Sequence, residues 1–272
     1  MQLSHGGRVG GPRVGVRRTG VVDRWPVRYA RPVTGRSTAL RVLTTLRQSP
    51  IGDAAVLVDS SGLFGFETSV AALTEDVDIA IPEPLVQQHG PAIVLALAQQ
   101  GFAHEPGTAT FESADGVTFD LLGHGEPEAG DHIGGAGVLR VMVFEDISRV
   151  VGEAQATTAL PSGGRTLTPA GFVATKLLTE RAHKGTKDKL QALLVLAERS
   201  DDAHFEAELV RLLRSVDPVR LDDVLAAAHD ACIALGRDPR FSDAGGEGYA
   251  PALKQAEAGL ARLQALLEKV RG

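Results

Sequence analysis

Cysteine is almost absent from this sequence, which contains a single one, Cys232, in 272 residues. One cysteine excludes an intrachain disulfide framework and a zinc cluster built from cysteines. The eight histidines form no HxH or HxxxH pair, so the sequence does not indicate a histidine metal site. No apolar run approaches the roughly 20 residues that a membrane-spanning helix needs. These absences favour a reducing compartment, and we expect a cytoplasmic protein without a membrane-integrated segment.

Acidic residues are scarce at the start of the chain. Residues 1–36 contain eight arginines and one acid, a net charge of +7, whereas the whole chain carries −6 and the remainder therefore −13. An acidic body of this size does not fit a general nucleic-acid binder. The first 36 residues lack apolar periodicity, so we expect a disordered arm. An arm for an anionic partner, a targeting sequence, a misassigned start codon and an extension without function stay open, but no apolar region supports a secretory signal.

The rest of the sequence has the composition of a folded protein, with 43% hydrophobic and 23% charged residues. Its periodicity predicts an α+β domain over residues 37–165 and a helical domain over residues 166–272. Short apolar segments predict strands over residues 54–58, 76–81, 108–112, 117–122 and 138–144. Caps, breakers and helical spacing predict helices from Ser37, over Leu63 to Leu73, and over residues 84–100, 169–183, 186–199, 203–215, 219–235 and 249–270.

Three aspartates stand on two of the predicted strands. Asp76 and Asp78 are two residues apart, so they project from one face of a strand whose other face is apolar. Taken alone, this pattern is that of an ordinary half-exposed strand. Asp120 lies on the second strand between Phe119 and Leu121, where a carboxylate is costly to bury unless it is paired or bound to a metal ion. The three acids are therefore candidates for one site.

A turn of small residues, Ser60-Ser61-Gly62, precedes the strand that carries Asp76. Such a turn exposes backbone N–H groups near a helix N-terminus, where phosphate is favoured. Carboxylates beside a phosphate-binding turn suit two Mg²⁺ ions, which bind oxygen ligands together with the phosphates of a substrate. Two such ions can activate an attacking hydroxyl and stabilise a leaving pyrophosphate.

The Ser-Ser-Gly turn, the Thr-Glu-Asp-Val-Asp motif at 74–78 and the Val-Thr-Phe-Asp motif at 117–120 resemble the polymerase-β-like nucleotidyltransferases. The similarity is greatest to minimal bacterial members of the AbiEii/AbiGii and MenT toxin kind. Their segment after the catalytic domain is similar to Leu167-Thr168-Pro169 and to the later residues Lys176, Arg181 and Lys187-Asp188. The resemblance covers about residues 54–195. It implies an α+β fold with a nucleotidyltransferase-like mixed sheet and flanking helices, followed by a C-terminal helical bundle.

The resemblance also implies the parts of a site. The metal ligands and catalytic acids would be three carboxylates, binding Mg²⁺ or Mn²⁺: Asp76, Asp78 and Asp120. The phosphates of a nucleoside triphosphate such as ATP would be bound by the turn and by a helix lysine, namely Ser60, Ser61, Gly62 and Lys176. The enzyme would move a nucleoside monophosphate to an acceptor hydroxyl on a tRNA 3′ end, a small molecule or a protein. The toxin kind further implies a toxin–antitoxin system with an antitoxin protein as partner.

Two positions differ from the family pattern. The family turn is usually Gly-Gly or Gly-Ser, whereas here Asp59 precedes the serines, and an acid so close to a phosphate site is unfavourable unless it points away. Gln191 stands near the position where a second acid usually follows Lys187-Asp188.

Several residues have ordinary alternatives to a site role. Lys176 could pair with Glu180 one helical turn later on the surface, and Asp188 could be a surface acid. The remaining basic residues of this region could bind phosphates or form a solvated turn: Arg181, His183, Lys184, Lys187 and Lys189. Two other classes also stay open for the whole protein: a catalytically inactive binding or partner-interaction module, and a metal-dependent phosphodiesterase or nuclease.

Overall fold

The computed structural model of the chain describes residues 32–70, 77–180, 185–237 and 249–272. Most of the predicted arm, Asp76, and three of the basic residues (Arg181, His183 and Lys184) lie outside the described residues. Within the described part, the protein is an α+β structure with a mixed, open sheet and several helices, which confirms the fold class at that level. None of the helices in this part is long and apolar enough to cross a membrane.

The elements alternate in the first part of the chain and are helical in the second. The strands are β1 (Val56–Val58), β2 (Val77–Pro82), β3 (Ala103–His104), β4 (Thr110–Glu112), β5 (Thr118–His124), β6 (His132–Ala136), β7 (Leu139–Val143), β8 (Thr157–Ala159) and β9 (Arg165–Leu167). The α-helices are α1 (Pro32–Arg47), α2 (Glu83–Gln99), α3 (Glu145–Val151), α4 (Pro169–Leu178), α5 (Gly185–Glu198), α6 (Ala203–Leu213), α7 (Pro218–Arg237) and α8 (Tyr249–Arg271).

The sheet is organised around β2 and β5, which pair in parallel. On the far side of β2, β1 runs antiparallel to it and continues through β9 to β8. On the far side of β5, β4 pairs antiparallel with the first half of the strand and β7 pairs parallel with the second half. The outer strands β3 and β6 then add to β4 and β7. This arrangement places β2 and β5 in the interior of the sheet.

Apolar residues cover both faces of the sheet. On one face, Ile79 and Phe119 pack with the buried residues of α1 and α2. On the other face, Val58, Ala80 and Leu122 share one core with α3 to α8. Because successive residues of a strand point to opposite faces, β2 contributes alternately to the two cores. The helices that follow residue 166 therefore form a layer on the second face, and the predicted boundary at 165/166 falls inside β9.

The structure differs from the sequence predictions in several elements, among them the following. The helix predicted over Leu63 to Leu73 is wrong over its described part. Residues 63–65 are the end of a 3-10 helix over Asp59–Gly65, and residues 66–70 are not helical. The glycine-rich stretch before Val138, where no strand was predicted, forms the outer strand β6. The first helix includes Pro32–Arg47 and so extends beyond its predicted start at Ser37.

We expect Gly259 of α8 to be required for the close packing of α8 on α5. A Cβ atom at Gly259 would overlap the backbone carbonyl of Leu193, whereas one at Gly236, an exposed position of α7, would only approach the Leu253 side chain at 3.9 Å. Gly259→Ala should therefore lower the free energy of unfolding by about 1–3 kcal/mol through overpacking. Gly236→Ala, the matched control, should raise it by up to about 1 kcal/mol because alanine favours the helix. Urea unfolding measures both, and stabilisation by Gly259→Ala would contradict the packing of α8.

Candidate active site

Asp78 and Asp120 are neighbours on the two central strands. They stand directly opposite each other in the parallel register of β2 and β5, so both project from the same face. This is the face that carries Ala80 and Leu122 toward the C-terminal helices. Asp78 is 7% exposed, and Asp120 is half-buried and accepts a hydrogen bond from the Thr110 hydroxyl at 2.6 Å. The structure thus brings together two of the three predicted acids; Asp76 lies outside the described residues.

The Ser60-Ser61-Gly62 turn follows β1 and is buried. The Ser61 hydroxyl donates to the Val58 carbonyl at 2.6 Å and accepts the N–H of Asp78 at 3.2 Å, which ties the turn to β2. The Ser60 hydroxyl donates to Oε1 of Gln191 at 3.1 Å. Gly62 is the position of a close approach, since a Cβ atom there would lie 3.3 Å from Leu167. Both serine hydroxyls are therefore engaged inside the protein.

Lys176 lies in the interior, next to this turn. Its side chain projects from α4 and is 2% exposed. The ammonium contacts Oδ1 of Asp59, lies 2.6 Å from Oδ1 of Asp188, and is 3.4 Å from the Ser60 hydroxyl. Burial disfavours the charged ammonium, but the carboxylates of Asp59 and Asp188 outweigh that effect and raise the pKa of Lys176 above its ordinary value. Lys176 is a buried cation with two anionic partners.

These contacts and the burial of the residues bear on three alternatives that the sequence left open. Glu180 does not pair with Lys176; its carboxylate lies 3.7 Å from the guanidinium of Arg220. Asp188 is 1% exposed, so it is not a surface acid. Lys187 and Lys189 are also buried, which excludes a solvated turn for these two of the five basic residues.

Lys189 is a second buried lysine, one that the sequence suggested only as part of a basic cluster. Its ammonium donates to the carbonyl oxygens of Lys176 at 3.1 Å and Thr179 at 2.8 Å, at the end of α4. Burial is the largest influence on this group and lowers the pKa of Lys189 to about 8. Lys189 therefore joins α5 to the C-terminus of α4, where a positive charge is favoured by the helix dipole.

The site has one acceptor atom without a partner. Oδ2 of Asp188 is buried and has no hydrogen-bond partner within the part of the chain that the structure describes. Across the same described residues, no group of three histidine, cysteine, aspartate or glutamate side chains is placed to hold a metal ion. Asp78 and Asp120 form a pair of carboxylates rather than a closed cage, and a pair of this kind suits an ion that takes its other ligands from a bound phosphate.

Sequence reasoning missed the contact between Asp59 and Lys176. The two residues are far apart in the chain, and the packing of α4 against the 3-10 turn that follows β1 brings them together. The local signal was the acid immediately before the Ser-Ser-Gly turn, but its direction was not readable from the sequence. No protein family, curated protein or solved structure matches the chain, so the nucleotidyltransferase resemblance stays a prediction based on the residues themselves.

We expect Lys189 to make stability depend on pH in the alkaline range. A lysine with a folded-state pKa of about 8 and an unfolded value of about 10.4 binds more protons when unfolded between these pH values, so stability rises with pH there. Lys189→Met removes this rise. Urea unfolding gives the free energy of unfolding of both proteins at about pH 7.5 and about pH 9.5. Between these pH values, the wild type should gain roughly 1–2 kcal/mol of stability relative to Lys189→Met. Lys254→Met, on an exposed position of α8, is the control for the loss of one charge. Equal pH slopes for the wild type and Lys189→Met would contradict the burial of this ammonium.

Proposed function

We propose that this protein is a metal-dependent nucleotidyltransferase, which transfers a nucleoside monophosphate from a nucleoside triphosphate to an acceptor hydroxyl. One observation carries the proposal: Asp78 and Asp120 are paired in register on adjacent parallel strands and face the same side. Carboxylates on neighbouring strands, which lie about 4.8 Å apart, disfavour each other's charged form, and a divalent cation bound by both would be favoured there.

The residues fit Mg²⁺ or Mn²⁺ in part. Asp78 and Asp120 would hold the ion, and proteins commonly bind Mg²⁺ through one or two carboxylates with the phosphates of the substrate completing its shell. Asp76 remains the expected third ligand by resemblance. When bound, the ion would neutralise the charge that develops on the phosphate oxygens.

The other residues of the site hold the turn, the acidic pair and the lysine in position. Ser61 fixes the turn to the backbone of Asp78, and Ser60 lies beside the Lys176 ammonium, so the turn connects the acidic pair with the buried lysine. In the transfer, the acceptor oxygen bonds to the α-phosphorus and the bond from that phosphorus to the leaving pyrophosphate breaks. The hydroxyl proton passes to solvent. Asp120, which is the more exposed of the two acids, would orient the acceptor hydroxyl for this attack.

The acceptor stays open among a tRNA 3′ end, a small molecule and a protein side chain. The charge of −13 outside the first 36 residues makes a large polyanion less favourable as an acceptor. An antitoxin partner protein, and a role in a toxin–antitoxin system, are part of the same proposal and follow from the resemblance alone.

A catalytically inactive binding module is the second candidate, and a specific observation favours it. Lys176, the expected phosphate ligand, already has two carboxylate partners inside the protein, and both serine hydroxyls of the turn make internal hydrogen bonds. A protein that had lost nucleotide binding could retain this arrangement as a structural element.

Transfer activity separates the two candidates. The full chain, incubated with each α-labelled nucleoside triphosphate and Mg²⁺ or Mn²⁺, should label one of three acceptor pools: tRNA, proteins or small molecules. Asp120→Asn is the matched variant, because asparagine keeps the shape and the acceptor for the Thr110 hydroxyl but removes the charge. We expect it to reduce transfer by at least about 100-fold, because the charge that orients the reacting groups is lost. Absence of label in every pool would favour the inactive module.

The same variant tests whether Asp120 is a site residue or part of the scaffold. In EDTA, Asp120→Asn should slightly raise the melting temperature, because one of two facing carboxylates loses its charge. A structural acid in a buried ion pair would instead lose about 3–5 kcal/mol of stability on this change. A marked drop in the melting temperature would therefore overturn the assignment of Asp120 to the metal site.

A further inference from the structure

The Lys176 ammonium has its hydrogen-bonding capacity occupied by its own chain. An ammonium has three donors, and three acceptors of the protein lie around this one: Oδ1 of Asp59, Oδ1 of Asp188 and the Ser60 hydroxyl. The lysine side chain is 2% exposed, so solvent does not compete for these donors. A phosphate oxygen can reach this ammonium only if one of the three acceptors leaves.

The two carboxylates are held differently. Asp188 lies within the regular helix α5 and is 1% exposed. Asp59 begins the 3-10 turn and has a φ of +51°, and it is the only non-glycine residue with positive φ in the described parts of the chain. Residues other than glycine rarely adopt this left-handed backbone conformation, although aspartate tolerates it better than most. Such outliers concentrate at sites where the surrounding structure imposes them. Of the two acids, Asp59 is the one in an unfavourable backbone conformation.

Besides Lys176, Oδ1 of Asp59 has the Ser60 hydroxyl as a neighbour at 3.3 Å, but the turn is also held by contacts that do not involve Asp59. Ser61 holds the turn to β2, and Ser60 holds it to Gln191 of α5. Asp188 would keep Lys176 in position after Asp59 has moved. The charges of Lys176, Asp59 and Asp188 add to −1, and they add to zero once Asp59 is removed, which is the more favourable surrounding for a phosphate.

We propose that the Asp59 carboxylate is a built-in competitor for the triphosphate, occupying the place on Lys176 that a phosphate oxygen would take. The inference rests on the proposed function, because it assigns the affinity of the same nucleotide site. Binding of the triphosphate then requires Asp59 to turn away from Lys176, and the site is self-occluded until that happens. No bond is made or broken in this exchange; one anionic partner of Lys176 replaces another.

Inorganic tripolyphosphate with Mg²⁺ is the probe, since it contains the phosphates without a base or sugar. Isothermal titration of the full chain should show at least about tenfold tighter binding for Asp59→Asn than for the wild type, a difference of about 1.4 kcal/mol. Asp59→Gly, which is relaxed at positive φ, should show the same gain and serves if asparagine destabilises the fold. Asp223→Asn, on an exposed position of α7, controls for a general change of one charge and should leave the affinity within about twofold.

Asp188→Asn is the sharper control, because it removes one charge from the same lysine but leaves Asp59 on it. Its gain in affinity should be clearly smaller than that of Asp59→Asn; an equal gain would overturn the proposal in favour of simple electrostatics. Equal binding by the wild type and both Asp59 variants would also overturn it, while leaving the nucleotide site of the proposed function intact. If no folded variant binds tripolyphosphate, both the competitor role and that site are wrong. If Asp59→Asn binds more tightly but no acceptor is ever labelled, the competitor role stands and the transferase activity fails.

Discussion

The ion pairs of Lys176 are the interaction on which the arrangement of this protein depends. A lysine with almost no exposure must be paired or neutral, because an isolated ammonium is very costly to bury. Its two partners come from different parts of the fold: Asp59 follows β1, and Asp188 lies on α5. Removal of one partner from a buried pair typically costs about 3–5 kcal/mol, so these contacts constrain how α4 and α5 lie on the sheet.

The same constraint brings the candidate site together. The turn after β1 contacts the backbone of Asp78 through Ser61 and the ammonium of Lys176 through Ser60. The adjacent residues Ser60 and Ser61 thus link the carboxylate pair on β2 and β5 to the helical layer. A site of this kind needs its acids on rigid elements, and the interior strands of a sheet provide them. The lysine and the serines are already engaged in internal contacts, so the proposed phosphate binding would have to compete with this internal pairing.

Much of the fold follows from local pattern, and the site follows only in part. The alternation around Asp78 predicted the strand and the side from which Asp78 projects, opposite to Val77 and Ile79, because side chains of a strand point alternately to its two sides. The in-register neighbour Asp120 was predicted as a partner but not as a directly opposite residue, since register depends on pairing between distant segments. The burial of Lys176 was not predictable, because helix spacing offered Glu180 as an ordinary surface partner. The short strand β6 was hidden by its glycines, which are poor strand formers and typical of loops.

The central claim is that the face shared by Asp78 and Asp120 binds a divalent cation together with a triphosphate. Crystals of the full chain soaked with Mn²⁺ and a non-hydrolysable nucleoside triphosphate analogue test it directly through the anomalous scattering of manganese. The account predicts an anomalous peak within coordination distance of both carboxylates, with the phosphates of the analogue as further ligands. A peak only at other positions, or none at saturating Mn²⁺, would contradict it.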